Sequence, residues 1–360
     1  MSLSSTQAIN SDDSSPIPLQ QEYNQQIRRK WLLLGSLLVF TLFVLLFDLS
    51  SGPAEMGLDT VLSVLFDQQQ ADLYQQVIVW EVRLPYSLMA IVVGACLGLA
   101  GAEMQTALNN PLASPFTLGI SAAATLGAAI VVVFNLQIPG ISNQYLLPIM
   151  AFVFSLLATM IILLVIRYIN ANISTIVLFG ISLFFALNAA VSFLQFLSDD
   201  NALQQIVFWT MGSLSRASWL TVIIVSVCLC ICLPLALRNV AAMTLLRCGE
   251  QHAQANGVDV SKLRYGIMIR VSLLTAISIC FVGEIGFIGL IAPHIARLLV
   301  GEDHTFFLPM SAISGALLMS FASIASKVLI SGVVLPISIV TSIVGIPLFI
   351  TLILSRQSRL

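Results

Sequence analysis

Charge is scarce in this chain: 9% of its 360 residues are Asp, Glu, Lys or Arg, against 58% hydrophobic, and the mean hydropathy is +0.99. So little polar surface excludes a soluble globule of this length. The only lysines are Lys30, Lys262 and Lys327, and none follows a glycine, so the G-x4-G-K phosphate loop of a nucleotide motor is missing. The histidines, His252, His294 and His304, stand far apart and form no H-E-x-x-H or comparable metal spacing. Ser, His and Asp occur without a nucleophile elbow, so an enzyme has no support. A net charge of −2 with no basic cluster offers nothing to nucleic acid. No cleavable leader is expected, because the first apolar run begins only at Trp31 and lacks a small-residue cleavage site. Cys96, Cys228, Cys230, Cys232, Cys248 and Cys280 lie mostly in apolar runs, where cysteine packs as a small hydrophobe. The alternation at 228, 230 and 232 splays those thiols around a helix instead of converging them on a metal.

What is present is a series of long apolar runs. A helical span needs about 20 such residues, and uninterrupted runs exclude the alternating pattern of a transmembrane barrel. The expected fold is all-α and polytopic, with ten transmembrane helices at 31–49, 84–108, 116–134, 145–166, 175–197, 219–237, 265–282, 285–300, 306–329 and 335–354. Residues 1–30 read as a disordered polar tail and 31–360 as the membrane domain. The run at 285–300 is short and holds His294 and Arg297. If it crosses, Arg28, Arg29, Lys30, Arg167, Arg238, Arg247, Lys262, Arg264, Arg297, Arg356 and Arg359 fall on one side, with Arg83, Arg216 and Lys327 on the other. The positive-inside rule then places both termini in the cytoplasm. Segment 198–218, with Asp199, Asp200, Trp209 and Arg216, is expected to carry a helix lying on the outer membrane surface.

Polar residues inside the spans are few: Glu103 and Gln105 in the second, Asn188 and Gln195 in the fifth. Glu103 is the one carboxylate in a span interior by these boundaries. An ion-coupled carrier draws on buried carboxylates, so this scarcity argues against an ion-driven engine, and energy must come from elsewhere. Two junctions carry similar Gly and Pro punctuation, AGAEMQTALNNPLASPFTLGIS and GEIGFIGLIAPHIAR, on opposite faces of the expected topology. Such matching breaks point to an inverted repeat around a pathway, although membrane helices also tolerate Gly and Pro individually.

Between the sixth and seventh spans lies a polar island, 238–264, with Arg238, Arg247, Glu250, Asp259, Lys262 and Arg264. Residues 244–256 read as one short helix, with Gly257 placed for a left-handed cap. It is either a solvated connector or a lever gripped by a cytoplasmic partner.

The stretches RLPYSLMAIVVGACLGLAGAEMQTALNNPLASPFTLGIS, GEQHAQANGVDVSKLR, GFIGLIAPHIARLLVGEDHTFFLP and LPISIVTSIVGIPLFITLIL occur in that order. They closely resemble the FecCD-type permease subunits of bacterial ABC importers for ferric siderophores, heme and vitamin B12, over nearly all of residues 31–356. The resemblance implies a multi-pass protein of the bacterial plasma (inner) membrane that pairs with itself or a paralogue. Two cytoplasmic ABC ATPase subunits would dock below and a binding protein would deliver substrate from outside, a ferric siderophore ahead of heme or cobalamin. No cofactor is expected on this chain, since ATP and Mg would sit on the ATPase partner. The loop after the sixth span would hold the coupling helix, assigning ATPase contact to Gly249, Glu250, Ala253, Gly257 and Val258. Docking of the binding protein falls to Arg83 in the family's RLPR motif, with Tyr86 in place of the second arginine and Lys327 where the family often has arginine. Arg83 could otherwise be an interfacial anchor. An inner gate is implied at Ser174 and Thr175, with Gln105, Asn188 and Gln195 as pathway candidates.

Overall fold

The computed structural model describes residues 19–52, 56–67, 72–140, 142–169, 173–330 and 332–357, and among them there is no β-strand. The helices are, in chain order, α1 Leu19–Ser50, α2 Leu58–Phe66, α3 Leu73–Val77, α4 Leu84–Ala107, α5 Ile120–Val133, α6 Asn143–Ile169, α7 Ile173–Leu197 and α8 Asp200–Thr210. They continue with α9 Trp219–Leu237, α10 Val240–Arg247, α11 Glu250–Ala255, α12 Val260–Val282, α13 Ile288–Val300, α14 His304–Val328 and α15 Ile337–Gln357. Seven stretches are long and apolar enough to cross a membrane: α1, α3 running into α4, α6, α7, α9, α12 and α14. Three further apolar helices, α5, α13 and α15, occupy the other expected spans.

Two of these ten places are not the continuous rods the hydropathy suggests. The run at 116–134 is broken at Gly119, whose φ of +80° ends a 3-10 turn, Pro115–Leu118, before the 14-residue α5 begins. At about 1.5 Å per residue α5 rises about 21 Å, short of the roughly 30 Å hydrocarbon layer, so irregular backbone completes the passage. The run at 285–300 behaves alike: Gly283 and Phe287 have φ of +80° and +67°, and helix α13 starts only at Ile288. Hydropathy sums side chains and does not see these backbone breaks. Both breaks follow a long buried helix and precede a short one. Arg264, near the start of α12, donates to the Ala107 carbonyl at the end of α4 (3.1 Å), so α4 and α12 run antiparallel, and Glu284 in the second break faces Ser121 just beyond the first.

Helix α4 is the axis. It is apolar on every side and buries 20 of its 24 residues, as a helix enclosed by others must. Between helices in lipid there is little hydrophobic drive, and close contact of small residues supplies the packing. Here a Cβ added to Gly101 would collide with the Gly289 carbonyl of α13, and one added to Gly94 with the Gly315 carbonyl of α14. The interior charge Glu103 on α4 is met by Arg270 on α12, whose Nε donates to the carboxylate at 2.8 Å.

Two other expectations change. Helix α1 extends back to Leu19, so part of the supposed tail, 19–30, is ordered; residues 1–18 lie outside the described chain. A helix already nucleated by its apolar span propagates cheaply into good formers such as Gln and Glu. Helix α8 does form in 198–218, capped by the Asp199 carboxylate, but Trp209 is buried against α5, α6 and α12 and is no surface anchor.

Candidate functional site

The polar island folds as two helices, not one. Gly249 sits between α10 and α11 with φ +127° and ψ 147°, a region essentially closed to other residues, and it cuts the expected helix 244–256. Met243 and Leu246 of α10 and Ala253 of α11 turn inward and are buried. Gly257 takes the left-handed cap, with φ +82°, and the Val258 N–H returns to the Ala253 carbonyl at 3.0 Å. Helix α12 then starts on the Asp259 side chain, which accepts from the Lys262 N–H at 3.0 Å. Of the residues expected to meet an ATPase, Glu250 and Gly257 are exposed, Gly249 and Val258 are half-buried, and Ala253 packs inside its own subunit.

The inner side of this two-helix element is tied to the bundle by charged and hydroxyl groups. Arg247, ending α10, makes a fork onto Glu302 in the α13–α14 turn at 3.0 and 3.2 Å and donates to the Asn109 side chain at 2.6 Å. Glu302 also pairs with Arg297 (2.8 Å), and Arg297 donates to Gln105 of α4 at 3.0 Å. Buried His304 stands between Thr106 of α4 (2.8 Å) and Thr244 of α10 (3.3 Å). Arg264 joins Glu250 of α11 (3.1 Å) to the Ala107 carbonyl of α4. Burial would push the Glu302 carboxyl up, but the Arg247 hydrogen bond and the two guanidinium charges outweigh it and hold it below the usual carboxylate range.

At the opposite end, Arg83, Tyr86 and Lys327 do come together and line one cavity of about 400 Å³ with Glu81 and Ser215. They are nevertheless buried, and their polar atoms are turned inward. Lys327 binds the Asp48 carboxylate at 2.9 Å and lies 4.4 Å from the Tyr86 ring centroid, while Arg83 donates to the Leu49 carbonyl at 2.6 Å. Ser323 completes the Asp48 cage at 2.8 Å. Asp48 carries no motif: in the sequence it is only a carboxylate closing one apolar run, as Lys327 is a lysine closing another.

Ser174 and Thr175 open α7 on exposed surface. Ser174, Asn188 and Gln195 recur at intervals of seven or fourteen residues, hence along one stripe of α7, a helix with no charged residue. Of the seven long spans α7 is the least covered within the subunit. Gln105 is instead buried and bonded to Arg297 and the Leu290 carbonyl (3.4 Å), which gives it a place in the packing of α4 against α13. Among the described residues no group of His, Cys, Asp and Glu could hold a metal.

A model of the FecCD transport family matches residues 39–355. The hemin transport system permease protein of Yersinia pestis is 33% identical over 88% of this chain and 95% of its own. A vitamin B12 import system permease protein of Vibrio cholerae is 32% identical over 79% and 84%, and the molybdate import system permease protein of Haemophilus influenzae is 33% identical over 78% and 82%. A solved chain in an inward-facing conformation, described as of the metal-chelate type of ABC transporter, superposes with a TM-score of 0.78 at 29% identity, covering 90% of this chain and 99% of its own.

Proposed function

The chain belongs to the FecCD transport family, and from that premise we propose that this ABC importer permease carries a ferric siderophore. It does so as one of a pair of permease subunits in the bacterial plasma (inner) membrane, served outside by a binding protein and driven inside by two ABC ATPase subunits. The observation that carries the substrate reading is the stripe of α7 along which exposed Ser174 and half-buried Asn188 and Gln195 recur with no charge. Neutral, dispersed polar groups let a bulky wrapped metal slide. A small dianion such as molybdate would call for cations or helix N-termini in the path. Heme and cobalamin, carried by relatives, are the nearest competing cargoes.

The two-helix element α10–α11 is the surface on which the ATPase acts. Exposed Glu250 and Gly257, with Gly249 between the helices, give a small-residue contact that a partner can approach closely, and the ties behind it make the element stiff. On this reading α10–α11 and both termini lie in the cytoplasm. At the far end the Arg83, Tyr86 and Lys327 cluster supports the docking rim from beneath, because its charges are already engaged by the end of α1. No cofactor belongs to this chain itself; ATP and Mg bind the partner.

Uptake by proteoliposomes holding the permease, its ATPase and its binding protein, offered ferric hydroxamate, ferric catecholate, heme, cobalamin and molybdate in turn, tests the cargo. Ferric siderophore accumulates if the reading is right. Accumulation of heme, cobalamin or molybdate in preference to every ferric siderophore contradicts it.

A further inference from the structure

The ties behind α10–α11 share a destination. Gln105, Thr106 and Ala107 are consecutive, they form the final turn of α4, and each holds one tie: Gln105 receives Arg297, which is chained through Glu302 to Arg247. Thr106 meets His304, which also meets Thr244, and the Ala107 carbonyl receives Arg264, which also holds Glu250. Two of these chains start on α10 and one on α11, and all reach α4 from different sides. A single tie would let the element swivel; three ties on one helical turn fix its position and orientation together. That turn is immediately followed by the first backbone break, with Asn109 at φ +41°, and Asn109 takes a further bond from Arg247. The α10–α11 element is thus bolted to the buried axis of the subunit just where that axis gives way to irregular chain.

We propose that the last turn of α4 is the point at which this subunit receives the ATPase stroke, with Arg247, Arg297, His304 and Arg264 as positioning residues that transmit it. The displacement passes into α4 and into the hinge-like segment 108–119, and so to α5. This rests on the reading of α10–α11 as the ATPase contact, and the test separates the two. Breaking a tie without touching the outer surface should leave the ATPase bound and turning over while the movement fails to arrive.

Two probe sites read the two ends of the transmission in the assembled complex. Native Cys248, exposed between α10 and α11, reports on the element, and Leu112→Cys, at an exposed site past α4, reports beyond the ties. Each is labelled singly with a charged maleimide spin label in a Cys230→Ser background, the Leu112→Cys protein also carrying Cys248→Ser. With the ties intact, both spectra change on adding ATP. In the variant Arg247→Met, Thr244→Val, Arg264→Met, which leaves the exposed Glu250 and Gly257 in place, the Cys248 change persists, the Leu112→Cys change is lost, and substrate moved per ATP falls by about tenfold, the scale of pairwise couplings between packed residues. Thr244→Val alone, which conserves shape, gives a partial loss and guards against a folding artefact. If both probes still respond in the triple variant, the transmission proposal is overturned. If Cys248 is silent to ATP even with the ties intact, the ATPase does not act on α10–α11, and the underlying reading falls with it.

Discussion

Gly257 combines a left-handed backbone with open space: no atom lies within 4 Å of where its Cβ would stand. Gly257→Val therefore strains the cap by about 1–2 kcal/mol but clashes with nothing in the subunit. If α10–α11 is the ATPase contact proposed above, the new side chain meets the partner, and the expected result is a small drop in detergent melting temperature with a large loss of uptake per ATP, read by paired transport and hydrolysis assays. Asp48 is the opposite case, since it is buried and bound to Lys327, with the Arg83 charge close by. Asp48→Asn strands that ammonium in the interior, which costs roughly 3–5 kcal/mol, whereas Asp48→Leu with Lys327→Met removes both charges and costs much less. Thermal melts of the single and double variants check the ordering. Glu302 sets a pH dependence: its carboxyl lies below its ordinary value in the folded protein, so its contribution is complete above the unfolded value of about 4.3 and lost as pH falls through the lower folded one. The gap in melting temperature between native protein and Glu302→Gln should be constant near neutrality and close on acidification. A gap that widens in acid would refute the assignment.

At the scale of elements, α10–α11 carries its own label. Cys248 is exposed, Cys230 faces outward on the apolar helix α9, and Cys228 and Cys232 are buried one turn apart. A charged, membrane-impermeant maleimide should modify Cys248 from the cytoplasmic side only. Modification from outside would invert the topology. Element type was legible in the sequence because long apolar runs leave helices as the only way to satisfy the backbone in lipid. The sixth span agrees at both ends with helix α9, whose start is fixed by a Ser218–Thr221 capping box. The breaks were harder to place. Gly119 and Gly249 are ordinary glycines in the sequence, and only the fold shows that their backbone must leave the helical region. The polar cap of α10–α11 was visible as a charge island, but its ties were not. Arg247, Glu302, Arg297 and His304 come from three places in the chain, and no local spacing announces that they meet. Arg83 and Lys327 were visible as charges at span ends, and nothing in their neighbourhood showed that Asp48 and Leu49 already occupy them.

For the whole molecule, the energetic account depends on the absence of a free engine. Of the buried carboxylates among the described residues, Asp48 is held by Lys327 and Glu103 by Arg270. Glu284, in the break before α13, faces Ser121. Ion pairs of this kind knit helices together, whereas an ion-driven carrier needs a carboxylate that exchanges its cation between the two sides. The decisive measurement is uptake of a ferric siderophore by proteoliposomes containing the permease and its binding protein, with and without the ATPase and ATP on the side of α10–α11, under imposed proton or sodium gradients. The account predicts accumulation only when ATPase and ATP are both present, whatever the gradient. Accumulation by the permease without the ATPase, rising with an ion gradient, would contradict it.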